Sequence, residues 1–301
     1  MKVAMDQVEQ SLRKHVHMLA REIGERSISR PDNLRKTAAY LSSLLEALGL
    51  PVTLEPYRFR GLTVANVVTE VALSRNPARR YLLGAHYDTV RGTVGADDNA
   101  SALAVQLETT RILQALAGRT HADVAIKVVA FALEEHPAFW SPGRGSWVHA
   151  RRAREAGERI DGMICLEMVG YRSKAPGSQK YPFPLMHLSY PKTGDFIGIV
   201  GESCSAQLAD AIESAFALNP DLPAKSLVVP CKGWLTPFVR RSDHVSFWDL
   251  GYQAVMITDT AEFRNPHYHK PTDTPDTLDY RFMAELVESL LFFFLSSTRE
   301  R

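Results

Sequence analysis

Apolar residues recur every three to four positions from Val8 through Leu12, Val16, Leu19 and Ile23, the spacing of one buried helix face. A second stripe, Leu34, Ala38, Leu41, Leu45 and Leu48, follows Pro31, which suits a first helical turn because the N–H it lacks would have no partner there. Gly49 and Pro51 end that helix. The period then shortens. Residues 52–55 and 64–71 alternate or are β-branched and read as strands. Apolar strand-length runs follow at 81–85, 124–133, 163–166, 196–200, 226–229 and 253–257, separated in most cases by helical patterns, with helices at 100–116, 146–156, 206–218 and 280–296. Strands alternating with helices predict an α/β fold, a doubly wound and mostly parallel sheet flanked by helices. Residues 1–301 are expected to form one domain.

The alternation lapses over residues 171–194, where Pro176, Gly177, Pro182, Pro184, Pro191 and Gly194 predict an irregular excursion, either a lid or specificity wall or a plain surface loop. Composition adds little beyond exclusions. With 35 basic against 34 acidic residues the net charge is +1, so neither nucleic acid nor an anionic membrane is expected as partner. The most apolar stretch, 286–295, is short and holds Glu288, which predicts a buried helix rather than a membrane span. The N-terminal residues lack the apolar run of a secretory signal. Cys165, Cys204 and Cys231 have no CxxC spacing and read as small core residues in a reducing, cytoplasmic setting.

The polar residues that interrupt this pattern fall at strand ends. His86 and Asp88 close one strand, Asp97 and Asp98 precede the Ala-rich helix, Glu134 and Glu135 follow the longest apolar run, Glu167 ends another strand, and His269 lies beyond the last. Ligands in open α/β sheets bind outside the carboxyl ends of the strands. Imidazoles with carboxylates are metal donors, and two ions close together can both activate water and hold an oxyanion. The expected chemistry is metal-dependent hydrolysis. His15, His17, His121, His136, His149 and His187 are expected to be ordinary capped, core or solvated histidines. There is no HExxH, GxSxG or GxxxxGK[ST]. Ser242, Asp243 and His244 are consecutive and so cannot converge as a triad; the pocket rim is their expected place. Arg240 and Arg241 are either solvated or partners for a substrate carboxylate.

Gly84-Ala85-His86-Tyr87-Asp88, Gly95-Ala96-Asp97-Asp98, Glu134-Glu135, Leu166-Glu167-Met168-Val169-Gly170, Ser242-Asp243-His244 and Tyr268-His269, in this order, resemble the co-catalytic zinc aminopeptidases. Their superfamily includes glutamate carboxypeptidase, glutaminyl cyclase and the transferrin-receptor ectodomain. The resemblance runs from about residue 34 to the C-terminus and implies a zinc-exopeptidase (phosphorylase/hydrolase-like) fold. It implies that Asp97 bridges two zinc ions, with His86 and Glu167 completing one site and Glu135 and His269 the other. Glu134 would be the general base, Asp88 would orient His86, and Tyr268 would polarise the scissile carbonyl. Glu167 departs from the Asp usual at that position, and manganese or cobalt would also suit the donor set. The implied substrate is a peptide or another amide-bearing small molecule, hydrolysed at its N-terminal bond. A carboxypeptidase, a single-zinc glutaminyl cyclase and a catalytically silent binding module remain open as alternatives, and the sequence assigns no oligomeric state.

Overall fold

The computed structural model describes residues 4–296. After two helices, α1 (Met5–His17) and α2 (Pro31–Ala47), the chain enters an antiparallel hairpin of β1 (Thr53–Phe59) and β2 (Leu62–Ala72). The centre of the sheet is built from four parallel strands: β3 (Arg79–His86), β4 (Val124–Phe131), β5 (Gly162–Glu167) and β8 (Ala254–Thr258). The strands β6 (Ile197–Glu202) and β7 (Ala224–Val229) complete the order β1-β2-β4-β3-β5-β8-β6-β7. β2 runs antiparallel to β4 and β6 antiparallel to β8, so the parallel block is bounded on both sides by antiparallel joins. The expected mixed, mostly parallel α/β sheet is the one observed.

Side chains alternate between two cores, as the strand period of two requires. On one face Ile126, Val128 and Leu83 pack with α1, α2, α3 (Ala102–Leu116), α5 (Ala206–Phe216) and α7 (Tyr280–Ser296). On the other, Leu82, Val129 and Phe131 meet α4 (Gly145–Glu155) and α6 (His244–Asp249) through Ala150, Val245 and Phe247. Close packing explains Gly84 in mid-strand: a Cβ there would lie 2.5 Å from the Phe131 ring. No helix among the described residues is long and apolar enough to cross a membrane.

Two expectations need correction. Only Cys165 is a core residue; Cys204 and Cys231 are exposed, all three thiols being free, because they lie in the short helical turns that follow β6 and β7 and not in the strands themselves. Ser242, Asp243 and His244 lie beneath the site and not on its rim, fully buried where α6 begins. The excursion at 171–194 is pinned: Ser173 pairs with Gly194, and buried Gln179 donates to Thr260 Oγ1 (2.9 Å) and accepts from Arg264 Nε (2.9 Å).

Candidate metal centre

Because β3, β4, β5 and β8 run parallel, their carboxyl ends bring His86, Glu134, Glu135 and Glu167 to one edge of the sheet. His269 reaches the same place from the segment after β8, and Asp98 from the loop before α3. Five of the six side chains form two groups of three that share one member, and Glu134 stands apart. His86, Asp98 and Glu167 form the first group, and Asp98, Glu135 and His269 the second. Asp98 belongs to both, one oxygen to each: His86 Nε2 lies 3.4 Å from Oδ1 and His269 Nε2 lies 3.1 Å from Oδ2. His86 Nε2 is also 3.4 Å from Glu167 Oε2, and His269 Nε2 is 3.5 Å from Glu135 Oε1.

These spacings fit metal ions. Ligand atoms bound tetrahedrally at about 2.0 Å stand about 3.3 Å from one another. Moreover His86 Nε2, Asp98 Oδ1 and Glu135 Oε1 are buried without a hydrogen-bond partner, a costly arrangement that a cation between them would relieve. The electrostatics agree. Burial raises the Glu135 carboxyl, reinforced by the Asp98 charge, to about 8, and burial likewise raises Glu134 well above its ordinary value with Glu135, Glu167 and Asp243 adding to it. Burial works to lower His86 and His269, yet the facing carboxylates prevail, holding His86 well above its usual value and His269 at about 10. So many acids gathered out of water call for positive charge.

The bridging position corrects the sequence expectation: it is Asp98 that faces both groups, while Asp97 is turned away. Asp97 Oδ1 accepts from Gly170 N (2.8 Å) and Oδ2 from Asn265 Nδ2 (2.5 Å), which occupies it in joining β5 to the His269 segment. The other expected ligands, His86, Glu135, Glu167 and His269, fall in the two groups. Asp88 sits behind them. Its Oδ1 is 3.3 Å from His86 Nδ1 and accepts from the Glu134 N–H (2.8 Å), while Oδ2 accepts from the Glu135 N–H (3.1 Å). One carboxylate thereby ties the end of β3 to the turn after β4.

Glu134 is buried with Oε1 unpartnered, and it lines a cavity together with Asp98, Glu135, Glu167, Tyr268 and His269. His136, assigned above to ordinary histidines, also lines that cavity, but it belongs to neither group of three. Ser242 Oγ donates to Glu167 Oε2 at 2.5 Å, fixing the longer carboxylate that stands where Asp was expected. Arg240 is buried and paired with Asp249, whereas Arg241 borders the cavity, paired with Glu262 and donating to Tyr268 Oη (3.0 Å). Asp273 escaped the sequence reading: it holds the backbone at Asp97 and Asp98 and carries no motif of its own.

Glu167, Arg241 and Tyr268 also border a second, apolar cavity lined by Tyr181, Met186, Leu227, Phe238, Met256 and Phe263. The excursion at 171–194 supplies one wall of it.

The pattern of peptidase family M28 matches residues 66–293. The Escherichia coli protein named "Uncharacterized protein YfbL" is 36% identical over 296 residues, covering 96% of this chain and 88% of its own. The chain spans about half the length of the fungal relatives it matches. Among solved structures, BSAP, a zinc aminopeptidase from Bacillus subtilis, superposes with a TM-score of 0.72 at 13% identity, covering 97% of this chain and 95% of that one. The glutaminyl cyclase of Bacteroides thetaiotaomicron does so at 0.69 with 16% identity, covering 100% and 99%. At such identities the two structures speak for the fold; the match over residues 66–293 and the paired metal groups carry the family. The chain belongs to peptidase family M28.

Proposed function

We propose that this metal-dependent exopeptidase is a co-catalytic di-zinc aminopeptidase, residues 1–301 acting as one metallopeptidase domain, that removes a residue with a large apolar side chain from the N-terminus of peptides. The observation that carries this reading is the carboxylate of Asp98, one oxygen in each group of three, with the unpartnered Oε1 of Glu134 in the same cavity. Two ions held by His86, Asp98 and Glu167 and by Asp98, Glu135 and His269 would polarise the scissile carbonyl and ease deprotonation of water. Glu134 Oε1 takes a proton from the attacking water and delivers it to the nitrogen of the leaving peptide as the C–N bond breaks. Tyr268 Oη already accepts from Arg241, so its own hydrogen is free to donate to the carbonyl oxygen. Asp88 orients His86 through Nδ1.

The choice of peptide end follows from charge. In the metal cavity the guanidinium is that of Arg241, already engaged by Glu262 and Tyr268, which leaves no spare strong cation among the lining residues to receive a terminal carboxylate. The acids there suit an ammonium group. The adjoining apolar cavity would take the first side chain. A single-metal cyclase needs one group of three and a silent binding module none, whereas both groups are complete here. Free thiols at Cys165, Cys204 and Cys231 suit a reducing, cytoplasmic setting, and the net charge of +1 suits a peptide better than a nucleic acid.

The test is a panel of peptides with free and acetylated N-termini. Release of N-terminal Phe, Leu or Met at least tenfold faster than Gly or Asp, with acetylated peptides inert, is the expected result. Cleavage of acetylated peptides from the carboxyl end would overturn the assignment.

A further inference from the structure

We infer that Arg26, which lies ahead of the family-matched residues, is a positioning residue for the metal centre: it sets the placement of His86 relative to Asp98. The two ligands are joined by an irregular stretch that leaves β3 after His86 and reaches Asp98 in non-helical backbone, ahead of α3. Within it Thr93 Oγ1 donates to Val90 O (3.0 Å) and Thr89 Oγ1 to Thr93 O (3.4 Å), short links that do not join one end of the stretch to the other. Arg26 spans both ends from the centre, fully buried. Its Nε donates to Tyr87 O (2.8 Å), the residue after the first ligand; Nη1 donates to Val94 O (2.8 Å) and Nη2 to Gly95 O (2.9 Å), shortly before the second. Its backbone N–H donates to Thr89 Oγ1 (3.1 Å) in the middle of the stretch. Two further carbonyls, Leu19 O (2.9 Å) and Gly24 O (3.1 Å), anchor the guanidinium to the helical segment that continues α1 and to the glycine that ends it.

The wrapping is tight. Gly95 has φ +55°, and a Cβ there would fall 2.1 Å from Asp98 O and 3.1 Å from Arg26 Nη2. A planar fork with five N–H groups can span carbonyls at both ends of such a loop, which a lysine ammonium cannot. All of these acceptors are backbone carbonyls or a hydroxyl, and among the described residues no carboxylate is hydrogen-bonded to the buried charge. Burial accordingly pushes the guanidinium down to about 10, against the pull of Asp273, Asp88 and Asp98. The acids nearest to it in effect are thus those that support or form the metal centre. An arginine that only filled space beneath the loop would not need to grip both of its ends.

The inference rests on the two-metal reading, and the experiment separates the two. Wild type, Arg26→Lys and Arg26→Met are titrated with cobalt(II), followed by visible absorption, and with zinc against a chromophoric chelator; urea midpoints of the metal-free proteins are measured alongside. The expected result is that wild type binds two ions, while in folded Arg26→Lys zinc affinity falls at least tenfold and the cobalt bands shift. Fewer than two ions in wild type would sink the two-metal reading itself. Two ions of unchanged affinity and spectrum in Arg26→Lys or Arg26→Met, even with a lowered midpoint, would overturn the positioning role alone. Should neither variant fold, Thr89→Val takes their place: it removes the acceptor for the Arg26 N–H, and the expected result is a shifted cobalt spectrum, an unshifted one overturning the inference.

Discussion

The N–H of Asp98 donates to Asp273 Oδ2 at 3.1 Å, and the N–H of Asp97 to Oδ1 of the same carboxylate at 2.8 Å. A single acid four residues beyond His269 thus holds the backbone under two neighbouring aspartates whose side chains serve different ends. Asp98 faces His86 and His269, while Asp97 takes the Gly170 N–H and the Asn265 amide.

Exchanging the two acids in turn separates these roles. Asp98→Asn is expected to lower bound metal by at least one ion per chain and to abolish hydrolysis. Asp97→Asn is expected to keep about two ions and to show its cost as a lowered melting temperature, since it disturbs buried hydrogen bonds. Elemental analysis of both purified variants reads the difference, and loss of metal from Asp97→Asn alone would reverse the assignment.

Glu134→Gln keeps the shape of the side chain and removes the proton acceptor. A fall in kcat of about 10²–10⁴-fold with metal content unchanged is the expected outcome. Hydrolysis at the wild-type rate in a fully metal-loaded variant would remove Glu134 from the reaction.

Tyr268 should act on the transition state rather than on binding. Burial, with the Asp98 charge, raises the phenol above its ordinary value, so it stays protonated and able to donate. Tyr268→Phe is expected to lower kcat about 10²-fold while leaving KM within about threefold. A raised KM with unchanged kcat would make it a binding contact only.

The fold and most of the centre were legible because the period of the apolar residues is a physical record of which faces are buried. β4 is buried on both faces and reads as an apolar run interrupted only by Lys127; Glu134 and Glu135 stand out because acids directly after such a run have nowhere to be but a strand end. The choice between Asp97 and Asp98 was not legible. Adjacent residues of one type in an irregular turn carry no periodicity, and their orientation is set by Asp273, 175 residues further on. Arg26 was hidden for a similar reason: its acceptors are main-chain carbonyls, which leave no signature in side-chain identity.

Away from the metals, His15 gives the stability an acid-side slope. Burial lowers its imidazole to about 4, with Glu108 opposing and Lys14 and Arg111 adding to the shift; its Nδ1 lies 2.7 Å from Tyr40 Oη. The unfolded chain takes up a proton near pH 6.5 that the folded one refuses until about pH 4, so this group costs no stability above 6.5 and progressively more as the pH falls toward 4. Urea unfolding of metal-free protein between pH 7 and 4.5 should show a shallower slope in His15→Asn, by about one proton at pH 5. Equal slopes in the two proteins would mean that His15 is not held neutral.

The central claim, two metal ions sharing Asp98 in an aminopeptidase, is tested most directly by metal content measured together with hydrolysis. Purified protein is assayed for bound metal by elemental analysis, and for release of the N-terminal residue from an unblocked peptide before chelation, after it, and after zinc is restored. About two ions per chain, activity lost with them and regained on adding zinc, is the expected result. One ion per chain with cyclisation of N-terminal glutamine, or release of the N-terminal residue that survives complete removal of metal, would contradict it.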